Sequence, residues 1–124
     1  AQRYRFNRRI MTKTDRLAQL FTYLEQNPND SFLLYCVALE NIKLHNYQEA
    51  LTYFNQIINN EPDYIATYYH LGKLYERLDN TQKAIETYET GLAIAQKLND
   101  RHAHAELAEA KNALINDFDV EFDD

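Results

Sequence analysis

The sequence predicts an all-α protein made of paired helices in a repeating array. Composition, apolar spacing and an internal period carry that prediction. Only two glycines and two prolines occur in 124 residues, too few turn-formers for a many-stranded sandwich or barrel. Apolar residues recur at three- and four-residue steps, in blocks separated by short polar breaks, which is the pattern of amphipathic helices. Pro28 and Pro62 stand 34 residues apart. That period brings Val37 into phase with Leu71, Ala38 with Gly72, Ala50 with Ala84, Phe54 with Tyr88, Ile57 with Gly91 and Ile58 with Leu92. A fixed period of this length marks stacked supersecondary units.

The elements follow in order. Residues 1–11 read as a flexible basic arm, or as an extension ahead of a natural start at Met11, since MTKTDRL resembles the beginning of a protein. Leu17, Leu20, Phe21 and Leu24, ahead of Pro28, predict an N-terminal capping helix over 12–26. The first repeat, 31–62, holds helices over 31–44 and 47–60, and the second, 65–98, holds helices over 64–78 and 81–98. Asp30 or Ser31, and Asp63, are expected to cap the leading helix of each repeat. The breaks LHNYQEA (44–50) and LDNTQKA (78–84) place His45 and Asp79 where the chain should turn left-handed. Asn46 followed by Glu49 has capping-box spacing. Gln96 stands where the period would put a proline, so that helix runs on to Leu98 and turns at Asn99-Asp100. A closing helix over 101–115 then turns Ala103, Leu107, Ala110 and Leu114 inward. DFDVEFDD ends an acidic tail, 116–124, expected to be loosely attached. If extended, it would carry Phe118, Val120 and Phe122 on one side and could dock in a groove.

The helix–turn–helix unit resembles the tetratricopeptide repeat. In the second unit the resemblance rests on Tyr68, Leu71, Gly72, Tyr75, Ala84, Tyr88, Gly91 and Leu92; in the first, on Leu34, Val37, Ala38, Asn41, Ala50, Phe54, Ile57 and Pro62. The two units cover about half the chain. The resemblance implies a right-handed α-α superhelix in which small residues let paired helices cross closely. Gly72 would face Ala84, as Ala38 would face Ala50. That accounts for a glycine inside a helix, which costs roughly 1 kcal/mol relative to alanine.

The resemblance also implies a concave groove lined by the first helix of each unit. Phe32, Tyr35, Leu39 and Ile42 would form an apolar stripe on the first unit. Ala66, Tyr69, Lys73 and Glu76 would line the second, with His70 and Arg77 beside them. Some members of the family clamp a carboxylate with Lys, Asn and Arg here. Tyr35, Leu39 and His70 occupy clamp positions in this sequence, which counts against that ligand. The expected site is therefore a partner-binding groove of Phe32, Tyr35, Leu39, Ile42, Tyr69, His70, Lys73 and Arg77, with Lys73 and Arg77 supplying polar selectivity. An exposed apolar stripe usually marks an interface; the N-terminal helix or the acidic tail covering it is the competing expectation.

Charge and chemistry narrow the function. The net charge is −6, with +5 in residues 1–16, −5 in 117–124 and −6 in the remainder. An acidic body works against broad phosphate contact, so no nucleic-acid partner is expected. Cys36 is the only cysteine; it forms no internal disulfide, fits a small buried hydrophobe, and suits a cytoplasmic protein. No apolar run is long enough to span a bilayer, so no membrane partner is expected. There is no phosphate loop, no nucleophile elbow and no HExxH motif. In HAHAE, His102 and His104 point to different faces, and His102 with Glu106 is too few ligands for zinc. The sequence thus predicts no enzyme, no cofactor and no metal. It predicts a protein-interaction module that takes a peptide or partner helix, or alternatively a structural homo-oligomer joined through the same stripe.

Overall fold

The computed structural model describes residues 12–123; the basic arm of 1–11 lies outside them. Among the described residues there are six helices and no strand: α1 (Lys13–Gln26), α2 (Ser31–Lys43), α3 (Tyr47–Asn60), α4 (Ala66–Arg77), α5 (Thr81–Lys97) and α6 (Arg101–Asp123). The all-α expectation holds, and the boundaries of α1 to α5 fall within two residues of those read from the sequence. α6 does not stop at Ile115. It continues through the acidic stretch to Asp123, which replaces the expected loose tail and its extended form.

Three turns repeat one geometry. His45, Asp79 and Asn99 have φ of 63°, 58° and 57°, the left-handed conformation that Asn and Asp tolerate better than most residues. The residue after each donates its N–H five residues back: Asn46 to Asn41 O at 2.8 Å, Asn80 to Tyr75 O at 2.9 Å, Asp100 to Ala95 O at 2.8 Å. These are Schellman closures, which satisfy helix-end carbonyls and reverse the chain within three residues. α2 therefore folds back on α3, α4 on α5, and α5 on α6.

Caps fix the other ends, with two departures from expectation. Asp30 Oδ1 accepts from Leu33 N–H at 3.0 Å, and Thr12 with Asp15 forms a full capping box on α1. Asn80 caps α5 through Lys83 N–H at 3.2 Å, and Asp100 accepts from Ala103 N–H at 3.0 Å. Asn46, however, makes no side-chain cap; its amide donates to Asn41 Oδ1 at 3.3 Å instead. Asp63 does not cap α4 either. The i→i+3 bonds Tyr64 N–H to Glu61 O and Thr67 N–H to Tyr64 O lead into that helix. Asp63 instead accepts from Lys97 Nζ at 2.9 Å, tying the repeat linker to the end of α5.

Two apolar clusters form the core. Leu24, Leu34, Val37, Ala38, Ala50, Phe54, Ile57, Leu71 and Leu74 fill the space among α1 to α4. Tyr68, Ala84, Tyr88, Ala95, Leu107 and Ala110 fill that among α4 to α6. Ile58 and Tyr75 pack against both. Each large side chain fully buried this way contributes about 1.5–3 kcal/mol. Ala38 and Ala50 are both fully buried, as the period predicts. Gly72 meets something else: its closest neighbour across the pair is the ring of Tyr88, not Ala84. Cys36 is half-buried rather than sealed in the core, and burial pushes its thiol pKa up.

Candidate functional site

α2 and α4 are the leading helices of the two repeats, and the same pairing sets their common face. In α2 the residues Leu34, Val37, Ala38 and Asn41 point into the core, so Phe32, Tyr35, Leu39 and Ile42 fall on a different strip of the helix. Leu39 and Ile42 are half-buried and also pack against the first core cluster. Phe32 is 60% exposed, the most open of the large apolar side chains described. α1 packs beside α2: Leu17, Leu20 and Leu24 join the first cluster, and the Phe21 ring lies 6.2 Å from Tyr53 of α3.

Tyr35, His70 and Tyr69 form a run of touching rings across α2 and α4. The Tyr35 and His70 centroids are 5.5 Å apart at 70°, and His70 and Tyr69 are 5.4 Å apart at 88°. Tyr64 extends the run at 6.0 Å from Tyr35. These are edge-to-face and tilted contacts, the arrangements that aromatic quadrupoles prefer. All four rings are half-buried. Burial, then the neighbouring Tyr64, Cys36 and Glu106 charges, push the Tyr35 hydroxyl up. Burial pushes His70 down, against the opposing pull of Glu106, so its imidazole is neutral at pH 7.

Both cations expected in the groove are engaged within the chain. Lys73 Nζ lies 5.6 Å from the Tyr69 centroid and 3.7 Å from Glu76 Oε2. Arg77 lies 5.7 Å from the Tyr47 ring and donates to its hydroxyl at 3.1 Å. Arg77 thus braces the start of α3 rather than joining the ring run.

α6 adds a third surface beside α4. Its inner face buries Leu107 and Ala110 and packs Ala103 and Leu114 against α5 and α4, as the sequence predicts. Its flank adds Glu106, Glu109 and Ala113, which with Tyr69, Lys73 and Ala110 line a hollow of about 260 Å³. Sequence reasoning missed this surface. The strip itself is visible in the sequence, with Glu106, Glu109 and Ala113 recurring at three and four residues beside the apolar one, but what it faces is not. His102 and His104 are exposed at the start of α6, and among the described residues no group of three or more His, Cys, Asp or Glu is placed to hold a metal ion. No helix among them is long and apolar enough to cross a membrane.

Paired helices of one period, joined by identical left-handed turns and packed through small residues, define a tetratricopeptide-repeat protein, a fold of protein-interaction modules. The chain belongs to the family described as Regulator of microtubule dynamics protein 1-3, whose model matches residues 34–115. Among solved structures it is similar to a tetratricopeptide repeat domain protein from Salinibacter ruber, at 44% identity and a TM-score of 0.68, over 70% of this chain and 88% of that one. The fold also matches the TPR2B domain of yeast Sti1 in complex with an Hsp70 peptide, at 15% identity and a TM-score of 0.78, over 85% of this chain and 84% of that one. Among curated proteins it resembles the human protein O-mannosyl-transferase TMTC3, 41% identical over 51 residues, or 41% of this chain; the chain spans only 5% of that protein's length.

Proposed function

We propose that the chain is a protein-interaction module that holds a partner segment in the concave groove of α2, α4 and α6. The observation that supports this best is the ring run Tyr64–Tyr35–His70–Tyr69, half-buried and continued by a strongly exposed Phe32. Aromatic side chains at a concave surface are the usual carriers of binding energy, because they bury large area at small entropic cost. Leu39 and Ile42 give the floor its apolar base, and Lys73, over the Tyr69 ring, stiffens its edge. The family's description concerns regulation of microtubule dynamics, a task performed through contact with other proteins, and the Sti1 domain, like this one in fold, is in complex with an Hsp70 peptide. The reading assigns the chain no reaction and no cofactor.

A double substitution, Tyr35→Glu with Tyr69→Glu, tests it. Circular dichroism first establishes that the variant is folded. Capture from the source lysate should then retain a protein on the wild type that the variant loses. Light scattering addresses self-association through the same stripe: a mass that doubles with concentration in the wild type, and stays single in the variant, would replace the foreign partner with a second copy.

A further inference from the structure

The charges around the ring run are unbalanced. Glu106 on α6 lines the hollow it shares with Tyr69 of α4, and its charge reaches Tyr35 of α2 and His70 of α4. Glu109 stands one turn further along and lines the same hollow. Among the described residues neither carboxylate has a cation within salt-bridge distance, and the lysines on the neighbouring stretches of α4 and α6 pair elsewhere. Lys73 is paired with Glu76, and Lys111 turns to Glu89 of α5 at 3.2 Å. The hollow that Tyr69 and Lys73 share with α6 therefore carries a net charge of −1 from its lining, and His70, uncharged at neutral pH, offsets none of it.

We infer that the groove takes a basic, extended segment of a partner protein, with an arginine or lysine side chain entering between the Tyr35 and His70 rings and the Glu106 and Glu109 carboxylates, beside the Tyr69 ring that Lys73 already caps. This rests on the groove reading above and gives it a charge. The geometry suits a cation in two ways. A ring face attracts a guanidinium or ammonium within about 6 Å of its centroid, and the attraction grows as water is excluded. Carboxylates on the opposite wall supply the charge-assisted hydrogen bonds that fix such a group, bidentately for arginine. A ligand carboxylate would meet the opposite conditions: negative ring faces, two like charges, and cations already paired. The apolar positions of the same segment would rest on Leu39, Ile42 and Phe32. The chain carries −6 over residues 17–116, which would draw a basic segment in from a distance at low salt.

The experiment titrates the full chain into a fluorescein-labelled octapeptide of alternating arginine and leucine, and into its glutamate–leucine counterpart, following anisotropy and backbone amide shifts. The expected result is binding of the arginine probe, with shifts at Tyr35, Tyr69 and Glu106, and none of the glutamate probe. Glu106→Gln with Glu109→Gln should weaken it about tenfold, while Glu25→Gln with Glu86→Gln, which removes the same charge elsewhere, should leave it within about twofold. Equal weakening by both pairs would mean diffuse attraction and overturn the site. Binding of the glutamate probe at the same amides would overturn the charge while keeping the groove. Binding of neither probe would overturn the inference, and the tyrosine double variant would decide the groove separately. A fourth variant of the full chain replaces Arg3, Arg5, Arg8 and Arg9 with serine. If only that variant binds the arginine probe, the chain's own basic segment is the occupant and the partner assignment falls.

Discussion

The ring of Tyr88 lies directly over Gly72: a Cβ at residue 72 would sit 2.2 Å from Tyr88 Cε1 and 2.6 Å from Cδ1 and Cζ. The ring has nowhere to retreat. Tyr88 is fully buried, and its hydroxyl donates to Glu76 Oε2, one helical turn beyond Gly72. The glycine is therefore the recess into which α5 presses its aromatic residue.

Gly72→Ala should consequently destabilise the protein. Alanine gains about 1 kcal/mol of helix propensity, but overpacking a filled core costs about 1–3 kcal/mol, and contacts this short put the cost at the upper end. A fall in the urea midpoint with an unchanged slope is expected. A rise would mean that the α4–α5 pair can open without loss.

Tyr88 also ties stability to alkaline pH. Burial, then its hydrogen bond to Glu76 and that residue's charge, push its pKa far above the ordinary 10.0. The fold keeps the phenol neutral, whereas the unfolded chain releases the proton near pH 10. The stabilisation is complete below about pH 10 and is lost as pH rises beyond it. Tyr88→Phe should cost about 1 kcal/mol at pH 7 by removing the hydrogen bond. It should also flatten the alkaline decline in a series of urea melts from pH 8 to about 11. Tyr35, Tyr64 and Tyr68 are raised by burial too, so a residual decline should persist in the variant.

Much of this arrangement was legible in the sequence. The 34-residue period placed the repeats, their buried alanines and the left-handed His45 and Asp79, because each depends on local backbone geometry or on one helix face. The contacts that escaped it join elements. Small residue was matched with small residue at Gly72 and Ala84, yet a close helix crossing leaves a gap that only a ring fills, and Tyr88 supplies it. Asp63 has the composition of a cap, but the linker's own i→i+3 bonds lead into α4 and leave its carboxylate for Lys97. In the sequence Glu106 stands out only beside His102, as too few ligands for zinc, and Glu109 does not stand out. Only the packing of α6 against α4 turns that strip toward the rings, and nothing in a one-helix pattern reports a neighbour's position.

His70 makes stability sensitive to acid as well. It is half-buried between Tyr35 and Tyr69, with Lys73 on its own helix and Glu106 across from it on α6. Burial lowers its pKa from 6.5, with Glu106 opposing. Protonation then favours the unfolded chain. The contribution is complete above about pH 6.5 and is lost as pH falls through the lowered value. Between about pH 7 and pH 5.5, the wild type should lose more stability than His70→Gln, which cannot titrate. Equal losses would place the acid sensitivity in other groups.

Gly91 connects packing to the third wall of the proposed groove. A Cβ there would lie 2.7 Å from Tyr68 Cβ and 2.9 Å from Leu107 Cδ1. The Tyr68 Cβ is rooted in α4 and its hydroxyl donates to Pro62 O at 2.5 Å, so it cannot yield. Leu107 Cδ1 is a side-chain tip, but Leu107 is fully buried and has no free space to turn into, so its displacement is passed on to α6. Gly91→Ala should cost about 1–3 kcal/mol, and the loss should be local, because repeat arrays are stabilised mainly through nearest-neighbour interfaces. Amide exchange should accelerate over 101–115 and stay near wild-type rates in α2 and α3. Since α6 carries Glu106 and Glu109, the arginine probe should also bind more weakly, with the α2 amides still protected. Uniform acceleration through all six helices would show instead that the array opens as one cooperative unit, and that α6 has no independent freedom with which to adjust the groove.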